Sequence, residues 1–249
     1  MWLTAVYHQV SMFSLKPADA TSTGGRSLLV PTPFSIKMAL LDVALRSYGE
    51  ESGSILFPLI RDLGVALSPP MQVIVNNCFM RIHKPRRAKS GPGNKDDTEG
   101  DEGESGGDGP FIRSVAFREY VQYNGPLGIA VEVRTKADVD VLAPLLMQVT
   151  YFGKRGSLFQ IDSPPAITER LPGRQGYIPI NRSLDAEFQR SHGVLQILDD
   201  CAAHVSFAKV SIYSEESLST GKDRVTQSVT LPYRLARSSR GFSLYERIV

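Results

Sequence analysis

Between residues 2 and 15 apolar side chains stand on both alternating faces of the chain. Trp2, Val6 and Val10 lie on one and Leu3, Ala5, Tyr7 and Phe13 on the other, a pattern that predicts a central strand. A Ser/Thr/Gly-rich loop follows from Thr21 to Ser27. Thr32 then offers an N-cap and Pro33 a first-turn proline, and Phe34, Met38, Leu41 and Leu45 recur at helical spacing, so a first helix is expected here. A second short helical pattern, Ile55 to Leu63, ends at Gly64. Pro69-Pro70 then introduces Val73 to Ile82 as the second strand.

The pattern then breaks. Arg81, His83, Lys84, Arg86, Arg87 and Lys89 form a basic run, followed by an acidic, Gly-rich tract at 90–109 that has no large apolar residue and cannot repay its ordering entropy; disorder is expected there. Phe111 to Tyr123 resumes as a strand. The simplest geometry is a long hairpin arm at about 81–123, with the acidic tract as its distal loop and the cations on its stem. Asn124-Gly125-Pro126 makes a turn, Leu127 to Val133 a strand, and Asp138 to Thr150 a second helix that buries Leu142, Leu145, Leu146 and Val149 and carries an awkward Pro144. Leu158 to Ile161 is a further strand. Beyond residue 163, strands are expected at Val194 to Leu198, His204 to Tyr213, Gln227 to Leu235 and Phe242 to Ile248.

Without the short extra helix, the order strand, helix, strand, arm, strand, helix, strand is that of a split βαβ unit. The expected class is α+β: a ferredoxin-like (RRM-like) domain over 1–162 with a protruding β-hairpin thumb, and a C-terminal β-rich lobe over 163–249.

Between the second helix and the strand after it lies Tyr151-Phe152-Gly153-Lys154-Arg155-Gly156-Ser157. Glycines let backbone amides approach an anion, and Lys154 and Arg155 supply charge for a phosphate backbone. The spacing is neither that of a Walker loop nor that of a dinucleotide fingerprint, and a plain turn with solvated cations is the alternative. Tyr120, Tyr123, Tyr151, Phe152 and Phe159 flank the loop and arm, where aromatic platforms would suit single-stranded RNA; a core position is the alternative for each taken alone. Arg26, in the Gly24-Gly25-Arg26-Ser27 loop, and Lys37, which the helical spacing turns away from the apolar stripe, are further candidate phosphate contacts; a solvated lysine is the alternative for the second.

Composition narrows the chemistry. A net charge of +2 over 249 residues means that any basic surface is local, produced by confining many of the acids to the 90–109 tract. Cys78 and Cys201 lack metal-ligand spacing, so no disulfide framework, zinc site or other cofactor is indicated, and a reducing, cytoplasmic location is expected. No apolar run approaches membrane-spanning length. Only His8, His83, His192 and His204 are available for acid-base work, none with HExxH spacing, and Asp199-Asp200 reads as a turn cap. His83 among its cations is the one position where metal-free RNA cleavage could be supported.

In order, the run Val30-Pro31-Thr32-Pro33-Phe34-Ser35-Ile36-Lys37 that opens the first helix, the arm with Phe117-Arg118-Glu119-Tyr120, and Tyr151 to Gly156 resemble the CRISPR-associated RAMP superfamily, and within it CRISPR-associated protein five. The resemblance covers about residues 1–161. It implies a non-catalytic, RNA-binding subunit of a type I Cascade-like complex in antiviral defence. Such a subunit caps the 5′ handle of the crRNA, contacts the backbone RAMP subunit and the large subunit, and meets target DNA only indirectly. Carried onto this chain, the thumb is the arm between Arg81 and Tyr123 and the glycine-rich loop is Gly153, Lys154, Arg155 and Gly156. Met38 or Ala39 stands where a helix glycine is expected, and the loop is shorter than GxGxxG, which leaves the subtype open. Three alternatives stand beside this reading: a metal-independent endoribonuclease acting on precursor crRNA, a RAMP backbone subunit along the guide, and a ferredoxin-like protein unrelated to CRISPR.

Overall fold

The computed structural model describes residues 1–18, 20, 25–85, 110–171, 176–181 and 193–248, with the side chain of Lys84 excepted. Arg86, Arg87 and the acidic tract lie outside the described residues, as does His192. The fold is mixed α and β with antiparallel sheets.

β1 (Trp2–Gln9) is the hub of the first sheet. Leu3, Ala5 and Tyr7 point into the core, and the Tyr7 hydroxyl donates to the Leu146 carbonyl at 2.8 Å, so the phenol is satisfied where no water reaches it. The helix α1 (Pro33–Arg61) starts as the sequence predicts, with the Thr32 hydroxyl accepting from the Ser35 amide at 3.1 Å and proline in the first turn. Gly49, at φ +82°, interrupts α1, so the two expected helices abut across one kink. The buried face differs from the expected stripe. Ile36, Leu40, Val43 and Ala44 are buried, whereas Phe34, Met38 and Leu45 are only partly so. The helix is enclosed from more than one side, which widens and rotates its covered face.

Next comes β2 (Val65–Ser68), a strand that sequence reasoning passed over. Its first three residues are fully buried, so no polar alternation marks it, and it lies between the helix end and Pro69-Pro70. β3 (Gln72–Pro85) and β4 (Phe111–Asn124) pair along their whole length from Gln72↔Asn124 to Pro85↔Phe111. β5 (Leu127–Glu132) returns to the first sheet beside β1 and β2. α2 (Lys136–Gln148) opens with a reciprocal capping box between Thr135 and Asp138 and tolerates Pro144.

β6 (Phe159–Ile161) and β7 (Ala166–Thr168) share one edge of β1, and β8 (Ile178–Pro179) adds to β2. The first sheet therefore runs β6-β1-β5-β2-β8. β9 (Val194–Cys201) pairs with β10 (Arg224–Leu231) as a ribbon packed against α1. The strand expected at His204 to Tyr213 is instead a turn and a one-turn helix, α3 (Phe207–Val210). There the buried Asp223 carboxylate accepts from Lys209 Nζ at 2.7 Å and the Ser219 amide at 2.9 Å and lies 3.2 Å from His204 Nε2, gathering the segment into a compact loop. The strand expected at Gln227 to Leu235 is divided at Pro232 into β10 and β11 (Tyr233–Ser238). β12 (Phe242–Arg247) completes a second sheet of order β11-β12-β3-β4. Strands from beyond residue 162 thus enter both sheets, and Leu198, Val205, Leu231 and Tyr233 belong to the same core as Leu3, Leu40 and Leu142.

Candidate functional site

The glycine loop is a built turn. A bridge between Tyr151 and Leu158 closes it, and the Ser157 amide donates to the Lys154 carbonyl at 2.8 Å. Gly153 sits at φ +71°, where L side chains are strained, and a Cβ there would come within 2.8 Å of Leu15 Cδ1. Gly156 carries no such demand, with open space around it. Ser11 Oγ donates to the Gly156 carbonyl at 2.6 Å and accepts from the Leu158 amide at 2.7 Å. Phe152 is driven inward against Tyr7 and Phe159, at 5.1–5.2 Å between ring centroids. With one side of the turn anchored in the core, Lys154 and Arg155 are left exposed at its tip.

A cleft of about 240 Å³ opens beside Gly153, between Leu15, Thr32, Phe34, Ser35, Met38 and Tyr151, with Arg224 at its rim. The Arg224 guanidinium lies 4.4 Å from the centre of the Phe34 ring and is ion-paired to the buried Asp199 carboxylate. The first turn of α1, the glycine turn and an oriented arginine therefore converge on one opening.

A strap at residues 25–28 joins this cleft to the arm. The Glu119 amide donates to the Gly25 carbonyl, the Ser27 amide to Glu119 Oε2 and the Leu28 amide to the Leu15 carbonyl, each at 2.8 Å. A Cβ on Gly25 would meet the Phe117 carbonyl oxygen at 2.1 Å, so only glycine fits. Arg26 is exposed on the strap, at the foot of the arm.

In the arm, directly paired residues share a face. The face that is core-directed at its root (Val73, Val75, Val121, Tyr123) continues outward as Phe79/Phe117, Arg81/Val115, His83/Arg113 and Pro85/Phe111. Phe79 is 68% exposed and its ring centre is 5.5 Å from that of Phe117; the exposed His83 ring stacks on Phe111 at 6.3 Å. Aromatics thus interleave with Arg81, His83 and Arg113. Arg113, Phe79 and, apart from its place in the resemblance, Phe117 were missed by sequence reasoning, as was Arg224. Period-two alternation across a hairpin was the available signal for the first three; for Arg224, nothing in its neighbourhood along the chain points to the cleft.

Two expectations are corrected and one alternative is decided. Lys37 does not face solvent: it is 2% exposed and its ammonium lies 2.7 Å and 2.9 Å from the two oxygens of Asp200, which also accepts from Asn181 at 2.8 Å. Packing of β9 over α1 turns that helical position inward, so Lys37 is withdrawn from any nucleic-acid contact. Tyr123, Phe152 and Phe159 are core residues, the alternative to platforms. Asp199 and Asp200 are first of all ion-pair partners of Arg224 and Lys37, and Asp200 Oδ1 also accepts from the Cys201 amide at 2.7 Å. Lys84 lies in β3 with its side chain outside the described residues. Burial pushes the Cys201 thiol up to about 12, which keeps it protonated and inert at neutral pH. Among the described residues no group of three or more His, Cys, Asp or Glu side chains could hold a metal ion, and no described helix is long and apolar enough to cross a membrane.

No family model matches the chain. A curated protein of Archaeoglobus fulgidus, CRISPR-associated protein Cas5, is 23% identical over 221 residues, spanning 87% of this chain and 86% of the relative. The chain is similar to CRISPR-associated protein Cas5. A crystal structure of a CRISPR protein from Archaeoglobus fulgidus aligns with a TM-score of 0.41 and 11% identity, over 100% of this chain and 92% of that one. The resemblance to CRISPR-associated proteins read from residues 1–161 is borne out by the Cas5 relative, which extends it into the segment after residue 161.

Proposed function

We propose that the chain is a non-catalytic, RNA-binding subunit of a type I CRISPR effector complex that caps the 5′ handle of the crRNA. The first sheet is read as ferredoxin-like, since β6-β1-β5-β2 with α1 and α2 has the split βαβ order. The β3–β4 hairpin, inserted between β2 and β5, is read as the thumb. On this reading a backbone RAMP subunit and a large subunit contact the chain in the cytoplasm, and target DNA is met only through the complex.

The observation that carries the proposal is the glycine turn. It presents Lys154 and Arg155 beside the Arg224 cleft, on the same body as an arm that interleaves cations and aromatics. Phosphates suit the cations and single-stranded bases suit the exposed rings. Guide pairing would supply target sequence, leaving the protein to hold backbone and shape.

Replacing Lys154 and Arg155 by alanine tests it. Handle-RNA affinity is expected to fall and the log-log salt slope to flatten by about 0.7 per lost phosphate contact. Unchanged affinity and slope would make the loop a structural turn.

One observation favours an endoribonuclease as the second reading: His83 is exposed beside Arg113 on the arm. Incubation with repeat-containing precursor RNA in EDTA separates the two. The binding reading expects intact RNA, and cutting that disappears in His83→Ala would establish the nuclease.

A further inference from the structure

We infer that the outward face of the β11-β12-β3-β4 sheet is a second platform for single-stranded RNA, distinct from the glycine loop, on which Tyr120 and Phe242 stack bases and Arg118 and Arg237 hold phosphates. The inference rests on the RNA-binding reading above. Registers define the face. Val73, Val75, Val121 and Tyr123 point to the core, so the alternate positions point away from it. Phe242, Asn76 and Tyr120 form one row across three strands. Arg118, paired with Cys78, lies on one side of that row. On the other side runs Arg237, Leu244, Ile74 and Gln122, and beyond it Arg234, Glu246, Gln72 and Asn124.

Among the described residues the two long helices have their main contacts elsewhere, α1 on β9 and α2 on α1 and β1. The two rings stand two strands apart, about 10 Å at sheet spacing, so each can take its own base. Both are partly exposed, and Arg237 is exposed at the outer strand. Charge selects the occupant. Three arginines face one carboxylate, Glu246, which is already engaged by Arg234 at 3.3 Å and Gln72 at 3.2 Å. Asn76 and Gln122 add amide donors and acceptors among the rings, while Ile74 and Leu244 are partly covered, so no broad apolar patch is on offer. A four-stranded sheet with central aromatics, amides and flanking arginines matches single-stranded RNA in both charge and stacking.

The probe is a fluorescein-labelled oligouridine of about a dozen nucleotides, titrated into the full chain. Tyr120→Ala and Phe242→Ala are each expected to weaken binding about tenfold. Tyr120→Phe should bind as wild type, and Arg237→Glu should weaken binding and flatten the salt slope. Unchanged affinity in the alanine variants with unchanged thermal melting overturns the inference, including the case where the face serves a protein partner instead. Should the alanine variants melt early, Arg237→Glu decides, since it lies at the exposed edge; unchanged affinity and slope there overturn the platform. Loss of binding in Lys154→Ala/Arg155→Ala with none in the sheet variants overturns this inference alone. Loss in the sheet variants with none in the loop variant supports the platform and overturns the loop assignment. A wild-type chain that binds no oligouridine overturns both.

Discussion

At the scale of single residues, the two glycines of the loop separate conformational need from chemistry. Gly153→Ala places a Cβ at positive φ and against Leu15, so a destabilisation of about 1–2 kcal/mol is expected in chemical denaturation. Gly156→Ala, in open space, should be silent by the same measurement. Lys37 makes the opposite point about charge. Removing the ammonium strands Asp200 in a largely covered site, so Lys37→Ala should cost about 3–5 kcal/mol while leaving the salt slope of RNA binding unchanged. A folded Lys37→Ala protein with a flattened slope would return this lysine to the nucleic-acid surface. Asp223 sets an acid limit: hydrogen bonds from Lys209 and the Ser219 amide hold its carboxyl down at about 2. Because the folded value lies below the unfolded one, its contribution is present above about pH 4 and is lost as pH falls toward 2. Asp223→Asn should therefore flatten the acid limb of the stability profile in that window, as read by denaturant titrations at stepped pH.

At the scale of elements, legibility followed the strength of local signals. The start of α1 was readable because Thr32 and Pro33 act within one turn, and the arm because a basic run and an apolar-free tract separate two β-rich stretches. β2 escaped notice because full burial erases alternation, and the α3 segment because a carboxylate distant in sequence, Asp223, holds it. Lys37 was misplaced, and the three core aromatics stayed open between core and platform, for a related reason: which face of an element is covered depends on partners the local sequence does not name. The arm also carries a prediction of its own. β12 pairs with β3 only between Gln72 and Asn76, so from Cys78 to Pro85 and from Phe111 to Arg118 the hairpin is a two-stranded ribbon, roughly 25 Å long. Amides of this distal ribbon should exchange with deuterium much faster than those of 72–76 and 120–124 in the free protein. Equal protection would mean that something covers the ribbon.

At the scale of the whole molecule, the division expected near residue 162 meets a fold in which the later strands are shared. β7 lies on β1, β8 on β2 and β12 on β3, and the Lys37–Asp200 pair joins α1 to β9. Each later strand covers an edge or a core face that residues 1–162 would otherwise expose. Arg247, on β12, donates to the Pro69 and Gly176 carbonyls at 2.8 Å and 2.9 Å, tying the end of the chain to the link between β2 and β3. Tyr233, fully buried, donates its hydroxyl to the Pro70 carbonyl at 2.7 Å. A chain ending at Asp162 would lose all of these together, leaving Val73 and Val75 without their β12 neighbours and uncovering the face of α1, Lys37 included, on which β9 packs. Such a truncated chain is expected to lose cooperative thermal unfolding and to bind dyes that report exposed apolar surface. A sharp transition within a few degrees of the full-length protein would show that the first 162 residues fold by themselves, and that the later strands serve the assembly and not the core.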